Sequence, residues 1–304
     1  MPSPLPFELG ELLGEGATAR VWAARSAHGP VAVKIARPAI HDGADLTDGT
    51  FFTSGAELAT GTVLAWRPDP SEVLRAEGVV LARISHPAFV RLLDRGTATV
   101  DGAPRAYLVL ERVEGRSVRH HGAGELGASF VARVARALAD VAASGQLGAH
   151  GDIKPDNLMV DATGAPRILD PASGVAEGGA GPRRLLNTWA YDPLCTGSDV
   201  PALGLLALEL LLGRPALVSV DRTAPARPLG SALSFMLRGP FPPGAERALA
   251  ALVRMPLPSD GGAPISPVEV AALRCLGLEW DGRRLEATKP TSSVAAVADE
   301  LERC

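Results

Sequence analysis

Lysine is scarce in this chain. Of its 30 basic residues only Lys34, Lys154 and Lys289 are lysines; the other 27 are arginines. Asparagine occurs twice in 304 residues, at Asn157 and Asn187. Where generic positive charge is written as Arg, a retained Lys marks a place that wants a compact ammonium on a flexible stem. Cysteine is sparse as well. Cys195, Cys275 and Cys304 lie far apart, odd in number and without a CxxC pair, which argues against a zinc site or a disulfide framework. A basic excess is missing, the formal net charge being −4, so nucleic acid is not an expected partner. No apolar run reaches the ~20 residues of a membrane span. The nearest, Leu203 to Leu212, is interrupted by Glu209, stopped by Gly213-Arg214-Pro215, and reads as a buried core helix. Met1 to Glu8 has neither the basic start nor the apolar stretch of a signal peptide. A cytoplasmic protein with no membrane partner is expected.

What is present is the balance of a soluble globule, with 46% hydrophobic and 21% charged residues. At ~150 residues per domain the length predicts two domains or one bilobed one. The first third reads as strands at Leu9 to Gly14, Ala19 to Ala24, Val31 to Ala36, Val90 to Leu93 and Tyr107 to Glu111, split by Gly and Pro. Val73, Ala76, Val80, Leu81 and Ile84 recur at helical spacing, predicting a helix over Glu72 to Ile84. Beyond Gly115 the character changes. Phe130 through Ala142 forms a helical stripe, His150 to Val160 and Arg167 to Asp170 form two short loop-and-strand units, and the pattern past Asp199 is helical. The expected fold class is α+β: a five-strand, one-helix N-terminal lobe and a larger helical C-terminal lobe, divided as residues 1–112 and 113–304.

Three segments carry chemistry. Leu13 to Val21 is a Gly-rich turn between strands, in which Gly14 and Gly16 let backbone N–H groups approach phosphates; a plain strand turn has the same composition. In Val31-Ala-Val-Lys34 a charge interrupts an apolar strand, as a solvated edge lysine would or as a phosphate-binding one would. The strongest signal is His150-Gly-Asp-Ile-Lys-Pro-Asp-Asn157. Its spacing can hold a base at Asp152, a phosphate-binding cation at Lys154 and a metal ligand at Asn157, and Asp170, after the apolar pair Ile168-Leu169, supplies a second ligand.

On these residues the chain resembles the eukaryotic-type (bacterial Hanks-type) serine/threonine protein kinases over almost its whole length. Gly14, Gly16 and Val21 match the Gly-rich loop, with Ala19 in place of the third glycine. Lys34 matches the strand lysine that binds the α- and β-phosphates, and Glu77, ten residues before Pro87 of Ser85-His-Pro, falls where a helix-borne glutamate pairs with it. Tyr107-Leu-Val-Leu-Glu111 is similar to the hinge that meets adenine, with Leu110 at the gatekeeper slot. Asn187-Thr-Trp-Ala-Tyr191, Ser198 through Pro215 and Pro290 through Leu301 resemble the end of the activation segment, the buried helix after it and the last helix of the fold. The resemblance implies ATP and Mg²⁺ as cofactors, Asp152, Lys154, Lys34 and Glu77 as catalytic residues, Gly14, Gly16, Val21, Lys34, Leu110 and Glu111 around the nucleotide, and Asn157 and Asp170 as metal ligands. It also implies that Lys154 and Thr188 favour Ser/Thr over Tyr, with a protein as substrate or as regulator in trans.

The departures narrow the reading. His150-Gly151-Asp152 has no Arg to clamp a phosphorylated loop, which disfavours control by loop phosphorylation. Asp170-Pro171-Ala172 removes the aromatic ring that packs beneath the Glu-bearing helix. Leu194 and Lys289 replace an ion-paired Glu and Arg. The 43 positions from Lys34 to Glu77 leave an insert at roughly Arg37 to Ser71, where Phe51, Phe52 and Trp66 could form a packed hairpin, a flap or a docking site. Two rival functions stay open. His-Gly-Asp and Asp-Pro-Ala also resemble aminoglycoside and ketosamine kinases, and Ala19, Pro171 and the weakly matching distal helices suit a nucleotide-binding pseudokinase scaffold. Because every polar catalytic slot is filled, an active protein kinase is the leading expectation.

Overall fold

A computed structural model describes residues 4–16, 18–27, 29–38, 69–171, 198–212, 266–280 and 285–304. They fall into two compact units, one drawn from Met1–Glu114 and Arg167–Leu186, the other from Gly115–Pro166 and Asn187–Cys304.

The first unit is built on an antiparallel sheet of strands β1 (Leu9–Glu15), β2 (Ala19–Ser26), β3 (Gly29–Ala36), β4 (Leu92–Val100) and β5 (Ala103–Glu111), in the order β1-β2-β3-β5-β4. The two-residue period of a strand sorts its side chains onto two cores. Ala32, Ala36, Leu108 and Leu110 face one way and pack with Leu74 and Leu81 of helix α1 (Pro70–Leu81). Val31, Val33, Ile35, Tyr107 and Val109 face the other. Lys34 shares the α1 face with Ala32 and Ala36, so the strand period aims its ammonium at the helix. Asp69 caps α1 by accepting the Ser71 N–H at 2.8 Å, and Pro70 follows in the first turn, where its missing donor is harmless. The bounds of α1 and β4 differ from the sequence pattern. The helix starts at Pro70, so Ser71 belongs to it rather than to an insert, and it ends at Leu81 instead of Ile84. Strand β4 runs to Val100 rather than ending at Leu93, because the polar stretch Asp94–Thr99 is paired along β5 through a hairpin at Asp101-Gly102. Both turn residues have positive φ, 51° and 77°, which Asp and Gly tolerate.

In the second unit, β6 (Gly115–Ser117) pairs antiparallel with β7 (Leu158–Asp161), and a 3-10 turn at Pro155–Asn157 leads into β7. Helix α2 (Ala128–Ala143) buries Phe130, Val131, Val134, Ala135, Leu138 and Val141, the expected stripe. Helix α3 (Asp199–Leu212) is the expected core helix, buried on every side over 200–210. Helix α4 (Pro267–Cys275) starts at a Ser266–Glu269 capping box and meets α3 where Gly204 leaves room; a Cβ there would lie 2.6 Å from the Cys275 Cβ. Helix α5 (Val294–Glu302) is joined to α2 by Arg136, which donates to Asp299 at 2.7 Å and to Glu302 at 3.0 Å. The carboxyl-terminal part is not wholly helical as its pattern suggested. Strands β9 (Leu278–Trp280) and β10 (Leu285–Ala287) form a hairpin between α4 and α5. No described helix is long and apolar enough to cross a membrane.

Candidate active site

In the first unit three charges from distant parts of the chain converge. The Lys34 ammonium donates to both Glu77 carboxylate oxygens, at 2.9 and 2.8 Å, and pairs with Asp170 Oδ2 at 2.8 Å. Lys34 and Glu77 are buried, their side chains 7% and 6% exposed, and Asp170 is 37% exposed. Burial alone would lower the Lys34 pKa, but the Asp170 and Glu77 charges outweigh it and hold the ammonium above its ordinary range. The same burial pushes the Glu77 carboxyl upward, with Lys34 opposing the rise and Asp170 adding to it. One ammonium is thus shared by two carboxylates.

Asp170 follows β8 (Pro166–Ile168), whose Ile168 N–H donates to Ala88 O at 2.6 Å and whose carbonyl accepts from Val90 N–H at 3.0 Å. Its own φ is +51°, a left-handed conformation that Asp tolerates better than most residues. The Gly-rich turn lies between β1 and β2. Val21 pairs with both Gly14 and Lys34 across the sheet. A Cβ at Gly14 would meet nothing within 4 Å, so its backbone is open to close approach. The Gly16 N–H is instead used within the turn, donated to Ala19 O at 2.8 Å. Leu110 is buried in the α1-facing core, and Glu111 ends β5 with its N–H donated to Arg91 O and its carboxylate held by Arg167 and the Arg91 N–H.

In the second unit the loop before β7 gathers the others. Lys154 pairs with Asp152 Oδ2 at 2.8 Å, and Asn157 Nδ2 donates to that oxygen at 3.0 Å and to the Asp152 carbonyl at 2.8 Å. The two donors fix the Asp152 carboxylate in one orientation. The Asn157 amide oxygen has no hydrogen-bond partner among the described residues, which suits a hard-cation ligand.

Three residues of this loop's support were not singled out from sequence. Asp199, at the start of α3 and buried, accepts the His150 N–H at 2.7 Å and the Gly151 N–H at 2.8 Å. Arg119 donates to Asp156 through Nε and Nη2 and, at 2.7 Å, to the buried Glu209 of α3 through Nη1. The signal for both acids was available: a carboxylate in an otherwise apolar helix needs a partner. Burial would raise the Asp156 carboxyl, but the Arg119 hydrogen bond and charge, with Lys154, hold it below the ordinary carboxylate range.

No protein-family model matches the chain. It is 30% identical over 263 residues, 79% of its length, to the serine/threonine-protein kinase PknB of Mycobacterium tuberculosis. The chain belongs to the serine/threonine protein kinase family. Similar relatives are the PknB proteins of Mycobacterium leprae, 29% identical over 78% of this chain, and of Mycolicibacterium smegmatis, 28% identical over 80%. The chain spans 36–37% of the length of these relatives.

Within that family the glycine at 151 has a local reason. Its φ is +81°, so Gly occupies without strain a backbone conformation that would strain an arginine. Lys289 is exposed, while its counterpart Leu194 lies outside the described residues. So do Ala172, Thr188, the Asn187 to Tyr191 segment, and Phe51, Phe52 and Trp66 of the insert.

Proposed function

We propose that the chain is an ATP- and Mg²⁺-dependent kinase that transfers the γ-phosphoryl group to serine or threonine hydroxyls of a protein. The observation that carries this reading is Lys34 held between Glu77 and Asp170 by three contacts of 2.8–2.9 Å. Its ammonium is fixed, permanently charged and set on the strand next to the Gly-rich turn, as a phosphate-binding group must be. Gly14 and Val21 stand beside it around the nucleotide, with Gly16 in the turn and Leu110 and Glu111 at the end of β5.

Asp170 and Asn157 are the residues that would hold Mg²⁺. Each is a hard oxygen donor, one a carboxylate and the other an amide carbonyl, of the kind Mg²⁺ takes beside phosphate and water. Bound there, the cation would neutralise charge between the β- and γ-phosphates. Asp152, oriented by Asn157 and Lys154, accepts the proton of the attacking hydroxyl, and Lys154 stabilises the transferred phosphoryl group. Free Cys275 and Cys304 thiols support a reducing, cytoplasmic setting.

The test is transfer of label from radioactive ATP with Mg²⁺, comparing wild type with Asp152→Ala on the protein itself and on a generic protein acceptor. Label on serine or threonine from wild type alone is the expected result. Tight Mg·ATP binding with no transfer from either would point to a scaffold. Transfer confined to small hydroxylated acceptors would point to a small-molecule kinase.

A further inference from the structure

We infer that Arg37 is a positioning residue for the phosphate-cradling turn, acting on the Gly16 carbonyl. This rests on the kinase reading, because it assigns the turn a nucleotide. Arg37 is the residue after β3 and stands three positions beyond Lys34. Its N–H donates to Thr18 O at 2.9 Å, extending the β2–β3 ladder one step past the strand. Its guanidinium reaches across the turn, where Nη1 donates to Gly16 O at 3.0 Å and Nη2 lies 3.5 Å from Glu15 Oε1. One residue therefore holds both sides of the turn, Thr18 through its backbone and Glu15 and Gly16 through its side chain.

The physical need for such a hold is clear from the turn itself. A Cβ at Gly14 would find open space, and the nearest atom to a Cβ at Gly16 is 3.7 Å away, so no packing restrains either residue. Glycine has more backbone freedom than any other residue, and a Gly-rich turn left alone samples many peptide orientations. Binding a phosphate to it would cost that freedom. Two hydrogen bonds limit it here: Gly16 N–H to Ala19 O inside the turn, and Arg37 to Gly16 O from outside. Glu15 is held from both sides as well, since Arg20 Nε donates to the same carboxylate oxygen at 2.8 Å. The two arginines keep that acid from facing the phosphates. Arg20 touches Glu15 without bonding the Gly16 carbonyl, so the pair separates two effects: neutralising the acid and orienting the peptide.

The inference is tested by calorimetric binding of MgATP and of adenosine to the full chain, for wild type, Arg37→Ala, Arg37→Lys and Arg20→Ala. Adenosine has no phosphate and reports any general damage to the unit. Arg37→Ala is expected to weaken MgATP about tenfold, the size of one lost hydrogen bond, and to leave adenosine unchanged. Arg37→Lys keeps the charge but not the fork and is expected to fall between wild type and Arg37→Ala. Arg20→Ala is expected to cost less than Arg37→Ala. Equal loss of both ligands would make Arg37 structural, and full recovery by lysine would make it a bare charge; either overturns the inference, as does unchanged MgATP affinity. A wild-type chain that binds neither ligand would fail before any substitution, and that failure falls on the nucleotide reading itself.

Discussion

The two units hold their charged groups in opposite ways. In the first, one ammonium is locked between two carboxylates, and Lys34 and Glu77 are almost wholly buried. In the second, Asp152 and Lys154 form a balanced pair, 17% and 22% exposed, and the loop that carries them is gripped from behind through its backbone by Asp199. A trio with two of its members buried is a structural commitment: it cannot lose Lys34 or Glu77 cheaply. A balanced pair nearer the surface can lose its charge with little effect on the fold, which suits a group that must handle a proton during a reaction.

The sharpest way to break this contrast is to remove the central charge from each unit. Lys34→Met leaves Glu77 and Asp170 facing each other, Glu77 buried, and is expected to cost on the order of 3–5 kcal/mol of stability, together with nucleotide binding. Asp152→Ala removes half of a part-exposed pair and should cost under about 1 kcal/mol, while lowering phosphoryl transfer by about 10²–10⁴-fold. Chemical denaturation and initial rates on the two variants measure both quantities. Equal stability losses would show that the two sites are held alike.

Asp199→Asn comes next. It keeps one carbonyl oxygen and replaces the other acceptor with an amide that cannot receive the second backbone N–H of the His150-Gly151 pair. A loss of about 2 kcal/mol is expected for a buried charge-assisted hydrogen bond. Because the loop bearing Asp152 loses its seat, kcat should fall by about 10²-fold, with the KM for ATP unchanged. A fall in affinity with kcat intact would place the effect of Asp199 elsewhere.

How much of this was legible from residues alone depended on whether a group announces itself locally. Lys34, Lys154 and Asn157 stand out because Lys and Asn are rare in this chain, and Asp152 because it shares a short loop with two of them. The fold was legible wherever period and burial agree, as along α2 and β3. It was not legible where polar residues are paired by a neighbouring strand. Asp94 to Thr99 has no apolar alternation, yet β5 satisfies its backbone, and only the Asp101-Gly102 turn signal hinted at the hairpin. Asp199, Arg119 and Glu209 were missed for a related reason. Their meaning lies in partners 37 to 90 residues away, and no spacing rule reaches that far.

Glycine substitutions sharpen the comparison at the level of packing. Gly204→Ala in α3 would drive a Cβ to 2.6 Å from the Cys275 Cβ and 2.8 Å from the Ala272 carbonyl, atoms fixed to the α4 backbone. Gly78→Ala in α1 would meet the Leu108 Cδ2 at 2.7 Å and the Arg95 Cδ at 3.3 Å, both side-chain atoms rather than backbone. Gly204→Ala should lose about 1–3 kcal/mol. Gly78→Ala should come out nearer neutral, because the helix gains about 1 kcal/mol from the added methyl group. Urea midpoints of the two variants decide between them.

The smallest expected effect concerns Asp156, in the loop that carries Asp152. Asp156 is held below its ordinary pKa when folded, against burial, by Arg119 and Lys154. An acid with a depressed folded pKa contributes stability that is fully present above its unfolded pKa, ordinarily about 3.9 for Asp, and is lost as pH falls through the folded value. Asp156→Asn should therefore be slightly less stable than wild type across neutral pH, by under about 1 kcal/mol for a part-exposed pair, and the gap should close only in strong acid. Arg119→Ala should show the same closure, yet with a larger gap, because it also removes a hydrogen bond of 2.7 Å to the buried Glu209. Parallel denaturation curves at pH 7 and at pH 3 measure both gaps. If Asp156→Asn and Arg119→Ala were equal at pH 7, the Arg119 contact with Glu209 would contribute nothing to stability.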